Sequence, residues 1–368
     1  MPKVVGLITS NYSVKNPSPF VEGIRPVAAV PFLGRYRMLD FTLSNMVNAG
    51  IRTVGLIMPD NYRPIIDHVG AGKDWGLDRK NGGLFPLPGS SFGTSRIGVG
   101  GRFLIRDFES NREFFERSNA DYVILSSCNF AYTTDLNELV KSHIDSGADI
   151  TLVVYRSIED SKDVNAIVTD DDGNFAGLKS GCAFGETAFM DLAVVNGPVL
   201  RELLDWYKNV DHLDLFEAMT QDLSMVDSKL HEYQGYVAPI FSKAAYFKRS
   251  MELLDPKVSK QLFQPDYPVM TKAHDTTPAK YEPDAHVSNC LVSSGSKIYG
   301  TIKNSIIGRA CVIEPGASVT NAILVRSVHV GAGAHIENAI IDRSNDIAEG
   351  TEMRGTPESV LVLPKGND

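Results

Sequence analysis

Few side chains in this chain combine types and spacing that could do chemistry. Arg35 and Arg37 flank Tyr36 just ahead of a helical pattern, and two guanidinium forks so placed suit a phosphate. Pairing with Asp40, or with carboxylates of a neighbouring domain, is the structural alternative for both. Asp170, Asp171 and Asp172 form an acidic run that resembles a cation site, but Gly173 and Asn174 follow at once and the stretch reads as a solvated hairpin turn. Cys128 is a nucleophile by type. It closes an apolar strand-like run with no histidine nearby in sequence, which reads as an inert thiol. Cys128, Cys182, Cys290 and Cys311 lie far apart without a CxxC pair, so neither a disulfide framework nor a zinc site is written, and a reducing, cytoplasmic setting is expected.

The elements that must position these residues alternate through residues 1–254. Val4–Ile8 and Thr53–Met58 are short apolar runs. Between them Leu39, Leu43, Met46 and Val47 share one helical face, closed by Gly50 as a left-handed cap. A buried-strand run follows at Asp121–Ser126, then a helix with the stripe Leu136, Leu139, Val140 and Ile144 ended by Gly147, then the strand Ile150–Tyr155. A hairpin around Asp171–Gly173, the strand Phe189–Val195, and helices near Val199–Tyr207 and Ala244–Leu254 complete the unit. Such strand–helix–strand alternation predicts an α/β domain built on parallel strands. From residue 255 to 283 periodicity fades while Pro256, Pro265, Pro268, Pro278 and Pro283 accumulate, which predicts an extended connector.

Residues 284–368 hold an internal repeat. The segments VSNCLV, IKNSII, VTNAIL and IENAII start at Val287, Ile302, Val319 and Ile336, each with an asparagine third: Asn289, Asn304, Asn321 and Asn338. Ile307, Ile313, Val319, Leu324, Val330, Ile336, Ile341 and Ile347 recur at steps of five or six. No helix generates that series. It predicts a left-handed parallel β-helix with the aliphatics inside, small residues such as Gly308, Gly331, Gly333 and Gly350 at its corners, and the asparagines stacked as an amide ladder. His329 and His335 fall in these coils, where hexapeptide acyltransferases keep a catalytic histidine; ordinary surface histidines are the simpler reading.

The 368 residues allow roughly two domains. Their charges sum to 36 − 45 = −9, which repels phosphate backbones and anionic lipid, so neither nucleic acid nor membrane is an expected partner. Neither a secretory h-region nor a run of about 18 apolar residues is present in the sequence, and a cytoplasmic protein is expected.

The segment Pro31-Phe32-x-Gly34-Arg35-Tyr36-Arg37, then Asp40-Phe41-x-Leu43-Ser44-Asn45 and Gly50, together with the downstream repeat, resembles bacterial glucose-1-phosphate adenylyltransferase (ADP-glucose pyrophosphorylase) over essentially the whole chain. That resemblance implies a nucleotidyltransferase-like, Rossmann-like mixed sheet over 1–254, the connector at 255–283 and a left-handed β-helix over 284–368. It also implies the joining of ATP and glucose 1-phosphate into ADP-glucose and pyrophosphate.

The sequence departs from that family where the chemistry lies. A glycine-rich loop after the first strand lets backbone N–H groups cradle a triphosphate, but Thr9-Ser10-Asn11-Tyr12-Ser13-Val14-Lys15 stands there. Cys128 and Pro239 occupy the positions of the two metal carboxylates, and neither is a hard anionic ligand for Mg²⁺. Phe103-Leu104-Ile105-Arg106 aligns with the nucleotide-contacting segment, and Lys179 is a loose substitute for the sugar-phosphate lysine. The pattern resembles the GlgD-type regulatory subunit. It implies no catalytic residue, metal or cofactor in this chain, with Mg²⁺ held by a catalytic partner in a hetero-oligomer, expected as a tetramer. Arg35 and Arg37 are the candidate contacts for a sugar-phosphate effector. An active adenylyltransferase with a rearranged site, and a β-helix acyltransferase using His329 or His335, are the alternatives.

Overall fold

The computed structural model describes residues 2–10, 25–59, 61–89, 102–220 and 225–366. Apolar runs with β-branched residues become strands, and the striped segments between them become helices over both faces. The nine-stranded sheet runs Phe175–Cys182, Ser161–Thr169, Thr187–Asn196, Tyr122–Ser127, Val4–Thr9, Thr53–Met58, Gly83–Pro88, with Ile150–Arg156 and Ser228–Glu232 branching from Thr187–Asn196. The half around Val4–Thr9 is parallel as the alternation predicts. Thr187–Asn196 runs antiparallel to both Tyr122–Ser127 and Ile150–Arg156, so the sheet is mixed. The Asp171–Gly173 turn joins two of the antiparallel strands as expected.

The motif Asp40 to Asn45 serves the scaffold. In the helix Met38–Asn48, the Asp40 carboxylate accepts the Arg37 N–H at 2.9 Å and meets His68 Nε2 at 2.6 Å, both from a fully buried position. Asn45 bridges outward, donating to Tyr132 O and accepting from Thr134 N. Ser44 accepts Met270 N at 2.8 Å and so pins the connector across this helix.

The connector departs from expectation at its start. Pro256 does not extend the chain there but opens a helix, Pro256–Leu262, because a proline at the first helical position forfeits no bond and Asp255 caps the turn by accepting Lys257 N. A turn closed by Tyr267 N donating to Gln264 O follows, and residues 268–279 then run without regular structure.

The C-terminal unit is a left-handed β-helix whose coils pair in parallel with a 17-residue register, Val319 beside Ile336 for example. All eight aliphatics of the five-or-six series are buried. Each ladder asparagine bends the strand with positive φ, between 45° and 53°, which its short polar side chain tolerates. Asn289, Asn304 and Asn321 each donate to the next amide oxygen at 2.5–2.7 Å, and Asn338 donates to Gly355 O. A side chain at Gly308 or Gly331 would strike the next coil's backbone, whereas Gly333 and Gly350 supply positive φ instead. Asn321→Ala breaks two ladder bonds and puts alanine in the left-handed region, so it is expected to lower unfolding free energy by about 1–3 kcal/mol in a urea titration. A loss near zero would show that the ladder is incidental.

The two units share one apolar seam. Phe32, Phe41 and Tyr246 from the first pack with Ile306, Ile323 and Ile340 of the second, and Arg25 reaches both Asp342 oxygens at 3.2 Å. Among the described residues no helix is long and apolar enough to cross a membrane.

Candidate functional site

The residues expected to stand at the adenylyltransferase site lie near the C-terminal end of the strand Tyr122–Ser127. Cys128 follows the strand Tyr122–Ser127, and the short pair Phe130–Ala131 with Ala238–Pro239 brings Pro239 opposite Phe130, so the two residues expected at the metal positions lie on neighbouring segments. Both are buried. Burial, reinforced by the Asp40 charge, pushes the Cys128 thiol far above the ordinary thiol range and keeps it neutral. Pro239 offers no ligand atom on its side chain.

A different cation is already in place beside them. Arg102 Nε meets Asp191 Oδ2 at 2.8 Å, its Nη2 donates to Asp163 O at 2.5 Å, and its guanidinium carbon lies 4.5 Å from the Phe241 ring centroid. Ser127 donates to the same Asp191 carboxylate at 2.9 Å, and Asn129 N donates to Ser127 Oγ. Asp191 is buried and sits at φ 50°, a left-handed conformation inside a strand whose register slips at that point. Its carboxyl is pushed up by burial against the pull of Arg102 and Ser127. Mg²⁺ does not fit this donor set: one position is a neutral thiol, one a proline, and the nearby carboxylate is engaged by a guanidinium and a hydroxyl. Among the described residues there is no group of three or more His, Cys, Asp or Glu able to hold a metal.

Where they are described, the other expected positions also have internal partners. Ser10 Oγ turns back to Ile57 O at 2.5 Å, while Asn11 to Lys15 lie outside the described residues. Phe103 packs edge-on against Phe216, Arg106 pairs with Asp211 at 3.0 Å, and Lys179 pairs with Glu186 at 3.0 Å on the surface. His329 lies between Asp346 and Glu314, and His335 meets Ser318 Oγ.

Asp214 supports this region from below. Its buried carboxylate accepts Arg102 N, Phe103 N and Phe216 N, yet burial raises it to about 6. A carboxyl raised on folding favours the protonated native state, so stability is greatest below about pH 4 for this group and is lost as pH rises through about 6. Asp214→Asn is expected to flatten the stability profile between about pH 4 and 6 by no more than about 3 kcal/mol. Parallel profiles for both proteins in urea titrations would refute the assignment.

A second, cationic cleft of about 560 Å³ opens between the two units. The hairpin Pro31–Phe32 with Tyr36–Arg37 turns through Leu33 and Gly34, both with positive φ, and Gly34 is pressed against Ser293 and Gly308 of the β-helix. This turn presents Arg35 into the cleft beside Arg309, whose Nη2 donates to Arg35 O at 3.3 Å, and Lys272 and His274 from the connector also line it. Burial and the charge of Arg35 pull Arg309 below its usual range, and burial together with Arg309 does the same to His274. Thr271, also on the wall, has a buried hydroxyl without a partner. Arg37 is placed elsewhere: it turns inward, donates to Pro64 O at 2.7 Å and does not line this cleft. Burial among Arg25, Arg343 and Arg326 brings it down to about 10.

Residues 25–174 match the family model for nucleotidyl transferases, and residues 275–358 match that for the GlmU-like C-terminal hexapeptide. The glycogen biosynthesis protein GlgD of Bacillus subtilis (strain 168) is 34% identical over 342 residues, covering 93% of this chain and 90% of the relative. The chain belongs to the GlgD family. GlgD of Geobacillus stearothermophilus is 31% identical over 86% of this chain and 83% of its own length. A glucose-1-phosphate adenylyltransferase of Thermotoga neapolitana is 30% identical over 79% of this chain and 70% of its own. Membership in the GlgD family places the chain in glycogen biosynthesis.

Arg102, Asp191 and Arg309 were not legible as site residues in the sequence. An aspartate interrupting the apolar run Phe189–Val195 was the one available signal for the first pair.

Proposed function

We propose that this chain is a non-catalytic, regulatory subunit of glucose-1-phosphate adenylyltransferase, acting by assembly with a catalytic paralogue in a hetero-oligomer. The observation that carries this reading is the Arg102 guanidinium, held between Asp191 and Phe241 beside Cys128 and Pro239. Transfer of a nucleotidyl group needs positive charge that is free to follow the developing pyrophosphate. Arg102 is buried and spent on an internal carboxylate, and among the described residues no group of three or more His, Cys, Asp or Glu is placed to hold a metal.

Regulation is the role left to an intact scaffold with a filled site. The interdomain cleft supports a phosphorylated sugar as effector. Arg35, Arg309 and Lys272 supply charge, and Thr271 and Ser293 supply hydroxyls, at the seam between the two units. An anion there relieves the crowding of Arg35 and Arg309 and ties hairpin, connector and first coils together.

Co-expression with a catalytic glucose-1-phosphate adenylyltransferase tests the reading. The two chains are expected to co-purify, and the effector response of the catalytic chain is expected to change when this chain is present. Separate elution with an unaltered response would contradict it.

A further inference from the structure

We infer that a pocket at the edge of the nine-stranded sheet binds a neutral glucose unit at the end of an α-glucan chain. The strands Ile150–Arg156 and Ser228–Glu232 pair in parallel, and the last residues of both line this pocket of about 320 Å³. Crevices outside the carboxyl ends of parallel strands are where α/β sheets take ligands. The volume lies at the small end of ordinary ligand sites, about 300–1,000 Å³, and suits a chain end rather than a long segment.

Its walls are aromatic and already fixed. Tyr233 donates its hydroxyl to Thr133 O at 2.8 Å and Tyr236 donates to Glu252, so both hydroxyls are engaged inside the protein and ring surface is what these side chains offer. Gly235 lies between them, and a Cβ there would come within 2.1 Å of the Tyr233 hydroxyl, which keeps this turn free of a side chain. Tyr155 differs. It is 6% exposed and lines the same pocket, yet its hydroxyl has no hydrogen-bond partner among the described residues. Burial pushes that phenol above its ordinary range and keeps it protonated, so a donor without an acceptor stands in the wall.

The rim is polar but carries no net charge. Arg156 Nε meets Glu232 Oε1 at 3.5 Å and its Nη1 donates to Thr187 Oγ1 at 3.0 Å, so the one cation of the lining is paired with the one carboxylate. A phosphate calls for uncommitted guanidinium or ammonium groups, and this lining holds none. Gln234 and Gln261 add exposed amides that can both donate and accept. Ring surface for the C–H face of a pyranose, with amides and a lone phenol for its hydroxyls, complements an uncharged sugar. In a chain of glycogen biosynthesis that sugar is glucose in an α-glucan. The inference uses the family placement alone and is independent of the regulatory role proposed above.

Isothermal titration of the full chain with maltotetraose, and its migration through native gels containing glycogen, read the binding without any activity. The wild type is expected to bind the oligosaccharide and to be retarded by glycogen. Gln234→Ala changes an exposed side chain and is expected to weaken maltotetraose binding several-fold. Tyr155→Phe removes a hydroxyl that holds nothing inside the protein, and the two changes together are expected to weaken binding roughly 10–100-fold with thermal unfolding unaltered. Arg309→Ala, in the cationic cleft, is expected to leave the affinity unchanged. No heat with maltotetraose and no retardation, equal affinity in the wild type and the double variant, or displacement of maltotetraose by inorganic phosphate or by adenosine would each overturn the inference.

Discussion

Arg102→Ala is expected to cost about 3–5 kcal/mol of folding stability, because it strands the buried Asp191 carboxylate without its partner. Part of that loss is the vacated contact over Phe241, and the larger part is the uncompensated charge. Asp191 cannot turn to water, since its backbone is fixed in a left-handed conformation and Ser127 holds its other flank. Removing both charges together is a different matter. Arg102→Met with Asp191→Asn keeps volume and the Ser127 hydrogen bond, and most of the stability is expected to return. Urea titrations of the two variants check this. A single-variant loss below about 1 kcal/mol would mean that solvent reaches the pair and that the guanidinium is not an internal substitute for a bound cation.

Arg309→Ala is expected to weaken sugar-phosphate binding in the interdomain cleft by roughly 10–100-fold, the scale of one charge-assisted contact. Without ligand the same change should cost little stability, because the hydrogen bond it removes, Arg309 Nη2 to Arg35 O at 3.3 Å, is exposed and its loss is offset by relief of the repulsion between the two guanidinium groups. This opposition between bound and free states is what separates an anion site from a structural arginine. Isothermal titration with a sugar phosphate, and with inorganic phosphate as the smaller probe, reads the first effect, and thermal unfolding reads the second. Equal affinity in wild type and variant would exclude Arg309 from the site. A large loss of stability in the free protein would assign it a structural role.

How much of this was readable beforehand depended on the range of the interaction. The β-helix was legible because its register repeats in sequence: the asparagines at 289, 304, 321 and 338 announce both the coil length and the ladder. The helix stripe Leu136, Leu139 and Val140 was legible for the same local reason, but Ile144, read as its fourth member, is exposed and His143 is buried in its stead. The expectation at Cys128 and Pro239 rested on residue type alone and could be written from the sequence. The ion pair beside them could not. Arg102 and Asp191 are 89 residues apart and meet only because the strand Thr187–Asn196 returns antiparallel beside Tyr122–Ser127, a feature that local alternation does not encode. Arg309 likewise joins Arg35 only through the seam between the units. Arg37 parts from Arg35 for a local reason: residues two apart share one face of a regular strand, yet the turn at Leu33 and Gly34 points Arg35 outward while the helix start folds Arg37 in. Pro256 was read as a breaker although its place after Asp255 fits a helix start equally well.

The central claim is that the cleft of this chain has no anionic anchor for a metal-bound triphosphate. The most direct measurement is the purified chain alone with ATP, glucose 1-phosphate and Mg²⁺, followed by release of pyrophosphate and appearance of ADP-glucose. The account predicts no turnover above the rate without protein. Turnover comparable to that of an ordinary glucose-1-phosphate adenylyltransferase, abolished together with Asp191, would contradict it.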